Sequence, residues 1–298
     1  MLESTHVRSY AKINWTLEVL FRREDGFHEI RTVYQTVSLY DRVRITLTPG
    51  SIEVACDNRD VPCDETNLAY RAAAVLRDAA GVTAGARIEI EKRIPVGAGL
   101  GGGSSNAASA LRGLLRLWSI DVSRDDLQRV AAGLGSDVPF FLVGGTAVGT
   151  GRGEVVCPVG QIKVENILLA NPGVQVSTAG VYASLSRLTG RAPESNIPFN
   201  LFAAEGISEL PLAARNDLEQ AASAAHPEIA EVKRRLISLG ATRALMSGSG
   251  ATVFGVFDKS ETCMRARSEL IASGYWAERV RTVDREEFQR TVFDLPPG

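Results

Sequence analysis

The first sixty residues carry apolar and polar positions in the manner of β-strands. Residues 8–20, RSYAKINWTLEVL, are rich in β-branched and aromatic side chains, and the polar stretch RREDGFHE (22–29) interrupts them as a turn. The strand signal resumes over 31–49, where VRITLTP alternates with period two until Pro49-Gly50 breaks it. SIEVACDN (51–58) is a further short strand. From Thr66 the spacing becomes helical. TNLAYRAAAVLRDAAG (66–81) has Thr66 as its expected N-cap and Gly81 as its stop. ARIEIEK (86–92) alternates again, as a half-buried strand does. A glycine run follows, then a helix expected over 104–118 and another over 123–135 with Ser123 as N-cap.

VGGTAVGTGRGE (143–154) reads as a glycine-rich strand, and the pattern restarts after Pro158. Beyond it the spacing predicts a strand over 163–173, a helix over 177–190 and an irregular segment over 190–216. An amphipathic helix (226–240), a hairpin with a glycine-serine turn (241–258), a helix (260–274) and a last strand (275–284) complete the chain. A domain boundary is expected at 155–165, dividing the chain into 1–160 and 161–298. Strands and helices mix without regular βαβ alternation, so the expected class is α+β with partly antiparallel sheets.

At 298 residues the chain has room for two cores, and 45% hydrophobic residues suffice to fill them. A formal net charge of -2 argues against nucleic acid or an anionic membrane surface as partner. Cys56, Cys63, Cys157 and Cys263 show no C-x-x-C spacing and are expected to be reduced thiols. His6, His28 and His226 are far apart and form no zinc signature. The N-terminal stretch MLESTHVRSYAKINW lacks the apolar run of a signal peptide, and no segment approaches the roughly 20 apolar residues that cross a bilayer. The expectation is a cytoplasmic protein.

The chemistry concentrates in RIPVGAGLGGGSSNAASALRGLL (93–115), where an alternating strand runs through glycines 97, 99, 101, 102 and 103 into a helix. A strand, a glycine loop and a helix N-terminus together make an anion site: backbone N–H groups point outward and the helix dipole adds partial positive charge. Ser104 and Ser105 can cap the helix, or reach phosphate oxygens or a magnesium ion. Gly97, Gly99 and Gly102 formally satisfy G-x-G-x-x-G, yet the strand before them alternates, Pro95 intervenes, and no acidic strand end lies about 20 residues on. A Walker A G-K-[ST] is absent, as are protein-kinase signatures.

The run P-V-G-A-G-L-G-G-G-S-S-N-A-A (95–108) resembles the phosphate loop of the GHMP kinases, the small-molecule kinases named for galactose, homoserine, mevalonate and phosphomevalonate. Its triple glycine followed by S-S-N-A is similar to the branch whose substrate is a cytidylyl-methylerythritol. The likeness extends to residues 11–41 (AKINW…DGFHE), to GSDVPFFLVGGTAVGTGRGE (135–154), to NDLE (216–219) and to SGSGATVFGVF (247–257), in family order over nearly the whole chain. Phe27 stands where that branch usually has tyrosine, Ser136 where it has alanine and Trp15 where it has leucine.

The resemblance implies an N-terminal domain like ribosomal protein S5 domain 2, a C-terminal ferredoxin-like α/β sandwich and an active site in the cleft between them. It implies ATP and magnesium as cofactors, with no dedicated protein metal site, and transfer of phosphate to the 2-hydroxyl of the cytidylyl substrate. ATP would be held by Pro95, Val96, Gly97, Ala98, Gly99, Leu100, Gly101, Gly102, Gly103, Ser104, Ser105 and Asn106, with Asn67 and Leu68 lining the adenine pocket. Asp137 is the implied base for the attacking hydroxyl. Lys12 beside it would lower its pKa and steady the developing phosphate charge. Asn14 shares the face of Lys12 along the strand. His28 would pair with the cytosine while Phe27 and Tyr182 sandwich its ring, although Tyr182 also lies at apolar helical spacing suited to a core. Ser247 to Gly250 would turn backbone toward the phosphates. A homoserine- or mevalonate-type kinase, and a non-catalytic ligand-binding protein on the same fold, stay open as alternatives; the enzyme is expected as a monomer or homodimer.

Overall fold

The structure, a computed structural model, describes residues 3–188 and 215–294. Its frame is a long hairpin of β1 (Ser4–Arg22) and β2 (His28–Thr48), in register from Ser4↔Thr46 to Arg22↔His28 with bulges near Tyr10, Asn14 and Val19. The outer end of β1 alternates buried and exposed residues, but Ser9 to Val19 are buried without interruption. That run is the signature of a strand covered on both faces.

One cover is the first sheet's own helical layer. β3 (Ile52–Cys56) and β4 (Gly85–Glu91) extend the hairpin in the order β1-β2-β4-β3, and β5 (Thr146–Thr150) pairs with β2 and with β6 (Val155–Pro158). Against this sheet pack α1 (Leu68–Ala80), α2 (Gly102–Leu117), α3 (Arg124–Leu134) and α4 (Val138–Val143). The core face of α1 is Ala69, Ala72, Ala73 and Leu76, the i, i+3, i+4, i+7 stripe. Gly81 closes α1 in the left-handed region, as expected. Its N-cap is Asn67 and not Thr66: the Asn67 side chain accepts from the Ala69 N–H, while the Thr66 hydroxyl is taken by Asp64. Ser123 caps α3 as expected, accepting from the Asp126 N–H.

The other cover is a second sheet of β7 (Ile167–Asn171), β9 (Arg243–Met246), β10 (Val253–Val256) and β11 (Trp276–Val280), antiparallel throughout in the order β11-β7-β10-β9. With α7 (Pro227–Ser238) after β7 and α8 (Ser260–Ala272) after β10, the run is the βαββαβ of a ferredoxin-like sandwich. The helices α5 (Thr178–Leu188) and α6 (Glu219–Ala225) precede α7. Ala11, Ile13, Trp15, Val33 and Val37 of the hairpin meet Ile167, Leu169, Leu245, Phe254 and Val280 of this sheet in one cluster. Trp15, fully buried, sets its ring edge-on to Phe254 at 5.4 Å. The bulky residue at that position is an interdomain wedge.

Three stretches depart from the periodic reading. The apolar run VPFFLV has no period and forms α4. The chain continues past β11 through α9 (Arg285–Thr291) to β12 (Phe293–Asp294), which pairs with β1 at His6↔Asp294. Of the segment 190–216 only Arg215 and Asn216 are described, as β8, parallel to β1 at Thr16↔Arg215; its expected irregularity otherwise lies outside the described residues. β8 and β12 therefore both join the first sheet, and elements two residues long leave no pattern to read.

Candidate active site

A cleft of about 1120 Å³ lies where the hairpin, the start of α2 and the second sheet's glycine turn converge. The loop between β4 and α2 is held from below by Asp41, fully buried on β2. Its Oδ1 accepts from the Arg93 and Ile94 N–H groups (2.7 and 2.8 Å), and its Oδ2 accepts from Lys92 Nζ (2.6 Å) and Asn106 Nδ2 (3.0 Å). A buried carboxylate survives only when so satisfied. Asn106 also donates to Ser9 Oγ (2.8 Å).

The glycines then answer to space. A side chain at Gly99 (φ +77°) would lie 2.1 Å from the Ser247 carbonyl oxygen, and one at Gly101 (φ +71°) would lie 2.7 Å from the Phe141 ring. Both need the left-handed region that glycine tolerates. With Gly101 so turned, α2 starts at Gly102, two residues before the expected start, and no side chain caps it. Its first-turn N–H groups open on the cleft with the positive end of the dipole behind them. The second domain clamps the loop: Ser247 Oγ donates to the Gly99 carbonyl (3.0 Å) and the Thr252 N–H to that of Ala98 (3.2 Å). Asn216 braces this turn, its Nδ2 donating to the Met246 and Gly248 carbonyls at 2.8 and 2.7 Å.

Asp137 stands at the N-cap position of α4 without capping it, which leaves its carboxylate for the cleft. Its Oδ2 is 3.4 Å from Lys12 Nζ. Its Oδ1 accepts from the Tyr34 hydroxyl at 2.9 Å. Burial first, then the neighbouring Asp137 charge, pushes the Tyr34 phenol well above its ordinary value, so it remains a neutral donor. Lys12 Nζ also donates to Asn14 Oδ1 (2.6 Å), and Asn14 Nδ2 to Thr32 Oγ1 (2.7 Å), which donates to the Thr16 carbonyl (2.6 Å). An ion pair and a hydrogen bond thus join Lys12, Asn14 and Asp137 in one cluster. Tyr34, Thr32 and Asp41 were not visible in the sequence: each sits inside a strand run and bears no motif.

At the other end of the cleft the β1–β2 turn presents Phe27 and His28. Phe27 is 52% exposed, with the Arg152 guanidinium over its ring at 4.8 Å. Tyr182, on α5, stacks on His28 itself (5.1 Å between centroids, 26° between planes) while packing against the second core. Without a base between them, Tyr182 stacks on His28 beside a Phe27–Arg152 pair, and both Phe27 and Tyr182 line the cleft. Partial burial, and then the charge of Arg22, hold the His28 imidazole below its ordinary value.

The cleft gathers Lys12, Asn14, Phe27, His28, Asp137 and Tyr182 with Asn67, Leu68 and the glycine loop from Pro95 to Asn106, with two exceptions. Leu100 is buried in the interdomain cluster, off the cleft wall, and its carbonyl accepts from the Lys12 N–H (3.0 Å). Ser105 is buried, accepting from Ser9 Oγ (2.8 Å), so Ser104 alone of the two serines faces the cleft. Consecutive helical residues point about 100° apart, which settles which serine turns inward. Among the described residues no three His, Cys, Asp or Glu side chains group to hold a metal, and no helix is long and apolar enough to cross a membrane.

Two family profiles match the chain: GHMP kinases N terminal domain over residues 67–145 and GHMP kinases C terminal over 202–274. The chain belongs to the GHMP kinase family. Its relatives narrow the branch. It is 41% identical to the 4-diphosphocytidyl-2-C-methyl-D-erythritol kinase of Geobacter sulfurreducens, over 93% of this chain and 98% of that one. It is 44% identical to the enzyme of that name from Syntrophotalea carbinolica, over 89% and 94%. A crystal structure of 4-(cytidine 5'-diphospho)-2C-methyl-D-erythritol kinase superposes with a TM-score of 0.75 at 38% identity, covering 93% of this chain and 99% of that one. A homoserine kinase from Cytophaga hutchinsonii shares the fold (TM-score 0.69) at 18% identity.

Proposed function

We propose that this chain is an ATP-dependent kinase that phosphorylates the 2-hydroxyl of 4-diphosphocytidyl-2-C-methyl-D-erythritol, releasing ADP, in the non-mevalonate route to isoprenoid precursors. The observation that carries the reading is the Lys12–Asp137 pair at the open end of an uncapped, glycine-built helix start. Asp137 accepts the proton of the attacking hydroxyl, Tyr34 holding one of its oxygens and Lys12 the other. Lys12, fixed by Asn14, neutralises charge gathering on the transferred phosphoryl group. The helix start and loop N–H groups hold the nucleotide phosphates, and the clamp from Ser247 keeps the loop in shape.

The donor set fits magnesium that arrives on the nucleotide: magnesium keeps its waters and takes few protein ligands, and Ser104 and Asp137 face the phosphate position. When bound it supplies charge neutralisation between the phosphates. His28, Phe27 and Tyr182 form the cytidylyl end, with the neutral His28 ring able to donate and accept toward a base edge. The reading goes with a cytoplasmic enzyme acting as monomer or homodimer. A coupled assay of ADP release tests it, with the cytidylyl substrate set against mevalonate, homoserine and galactose. Turnover with the cytidylyl alcohol alone is expected, and turnover with another alcohol instead would discard the cytidylyl end.

A further inference from the structure

A second cavity, about 700 Å³, lies along the C-terminal half of α2, between α2, α3, α4 and α9, and shares no lining residue with the cleft. Arg112, Arg116, Arg124 and Arg285 line it, and no Asp or Glu does. Among the described residues none of these four guanidiniums has a carboxylate within 4.0 Å, although the chain carries more acidic than basic side chains. Dipole compensation explains Arg116, in the last turn of α2. It does not explain Arg124, which opens α3 where the dipole disfavours a cation.

Arg112 is the deepest of the four. Its Nη2 donates to the Leu142 carbonyl at the end of α4 (2.5 Å), and its Nη1 lies 3.5 Å from Gln289 Oε1. Its Nε is buried without any partner. Burial alone pushes this guanidinium down to about 10, with no neighbouring anion to hold it up. The guanidinium lies over the Phe288 ring at 5.4 Å but has no counter-ion; a part-buried cation so placed is costly, and a bound anion would offset that. Apart from Gln128 and Gln289 the remaining wall is apolar: Leu115, Ile120, Leu127, Leu142, Val143 and Phe293, the last under the Arg116 guanidinium at 5.2 Å. Arginines suit phosphate geometry, and an apolar wall beside them suits a hydrocarbon portion.

We propose that this cavity is a second ligand site, distinct from the cleft, that takes a small organic phosphate: the oxyanion on Arg112, Arg116 and Arg124, its apolar portion on Leu115, Ile120, Leu127 and Phe293. The site rests on the charge and shape of this cavity and not on the kinase reaction.

The test is titration calorimetry on the full chain, with the cleft filled by saturating magnesium ADP so that the glycine loop is unavailable to phosphate. n-Butyl phosphate is the probe and inorganic phosphate its comparison. One further equivalent of n-butyl phosphate is expected to bind. Arg116→Gln/Arg124→Gln, exposed positions whose change leaves ADP binding and melting temperature as they are, should weaken it about tenfold or more, as loss of charge-assisted bonds does. Gln128→Glu, which sets a carboxylate among the arginines, should weaken it as well. Absence of binding to the ADP-filled protein, or binding that both variants leave unchanged, would overturn the site. Equal affinity for inorganic phosphate would overturn the apolar half of the proposal.

Discussion

The two ends of the cleft are built by different means. The phosphate end is backbone, shaped by glycines and held by buried polar struts: Asp41 with four donors, and Ser247 Oγ on the Gly99 carbonyl. The end proposed to take the cytidylyl group is side chains on a turn, with Phe27 half exposed and His28 stacked on Tyr182. A backbone site requires its shape to be made by folding, so damage to it is damage to stability. A side-chain site can be altered with the fold intact, so damage to it is confined to one substrate. Between the two lies the reacting centre, where Asp137 belongs to neither.

Substitutions separate these cases, beginning with the largest effect. Asp137→Asn keeps the shape and removes the proposed base. Turnover should fall about 100- to 10,000-fold, the usual span of general-base catalysis, with nucleotide affinity nearly unchanged in a binding titration. Asp41→Ala strikes the phosphate end without touching a substrate. It leaves Lys92, whose side chain is 4% exposed, as an uncompensated buried charge. The expected loss is about 3–5 kcal/mol of folding stability, read by denaturant titration, with weakened ATP binding in what remains folded. His28→Ala strikes the other end. The KM for the cytidylyl substrate should rise about tenfold, the worth of one or two hydrogen bonds, while the KM for ATP and the melting temperature stay put. Equal rises in both KM values would erase the contrast between the two ends.

The smallest effect is one of pH. Burial and Arg22 lower the His28 pKa from its ordinary 6.5, so between the folded and ordinary values the unfolded chain binds more protons than the folded one. The neutral ring and its contribution to stability are complete above that ordinary value. Both are lost as pH falls through the lowered one. The cytidylyl KM should therefore climb on acidification in the wild-type protein, and this component should vanish in His28→Ala. A wild-type profile matching that of the variant would contradict the assignment of a neutral His28 to the base edge.

How much of this was readable in the residues follows the same division. The glycine loop, Ser123 and Gly81 announce themselves because glycine and cap residues are chosen by backbone geometry, which is local. The outlines of both sheets follow from apolar period. Asp137 and Lys12 needed family likeness, because a lone aspartate beside a proline and a strand lysine look alike in any protein. Tyr34 and Asp41 escaped altogether: what makes them matter is a partner about 100 or 50 residues away (|i−j| of 103 and 51). Ser105 was misplaced for a related reason, since adjacency in sequence gave it the role of Ser104 while helical rotation turned it toward Ser9. α4 and β12 lay below the length at which a period can be seen.

The central claim is that one cleft passes the terminal phosphoryl group of ATP to the 2-hydroxyl of the cytidylyl alcohol. Phosphorus-31 NMR of the reaction mixture with wild-type protein, ATP and magnesium tests it most directly. The account predicts one new phosphomonoester, coupled to carbon 2 of the methylerythritol, growing in step with ADP. ADP accompanied only by inorganic phosphate, or a monoester at another carbon, would contradict it.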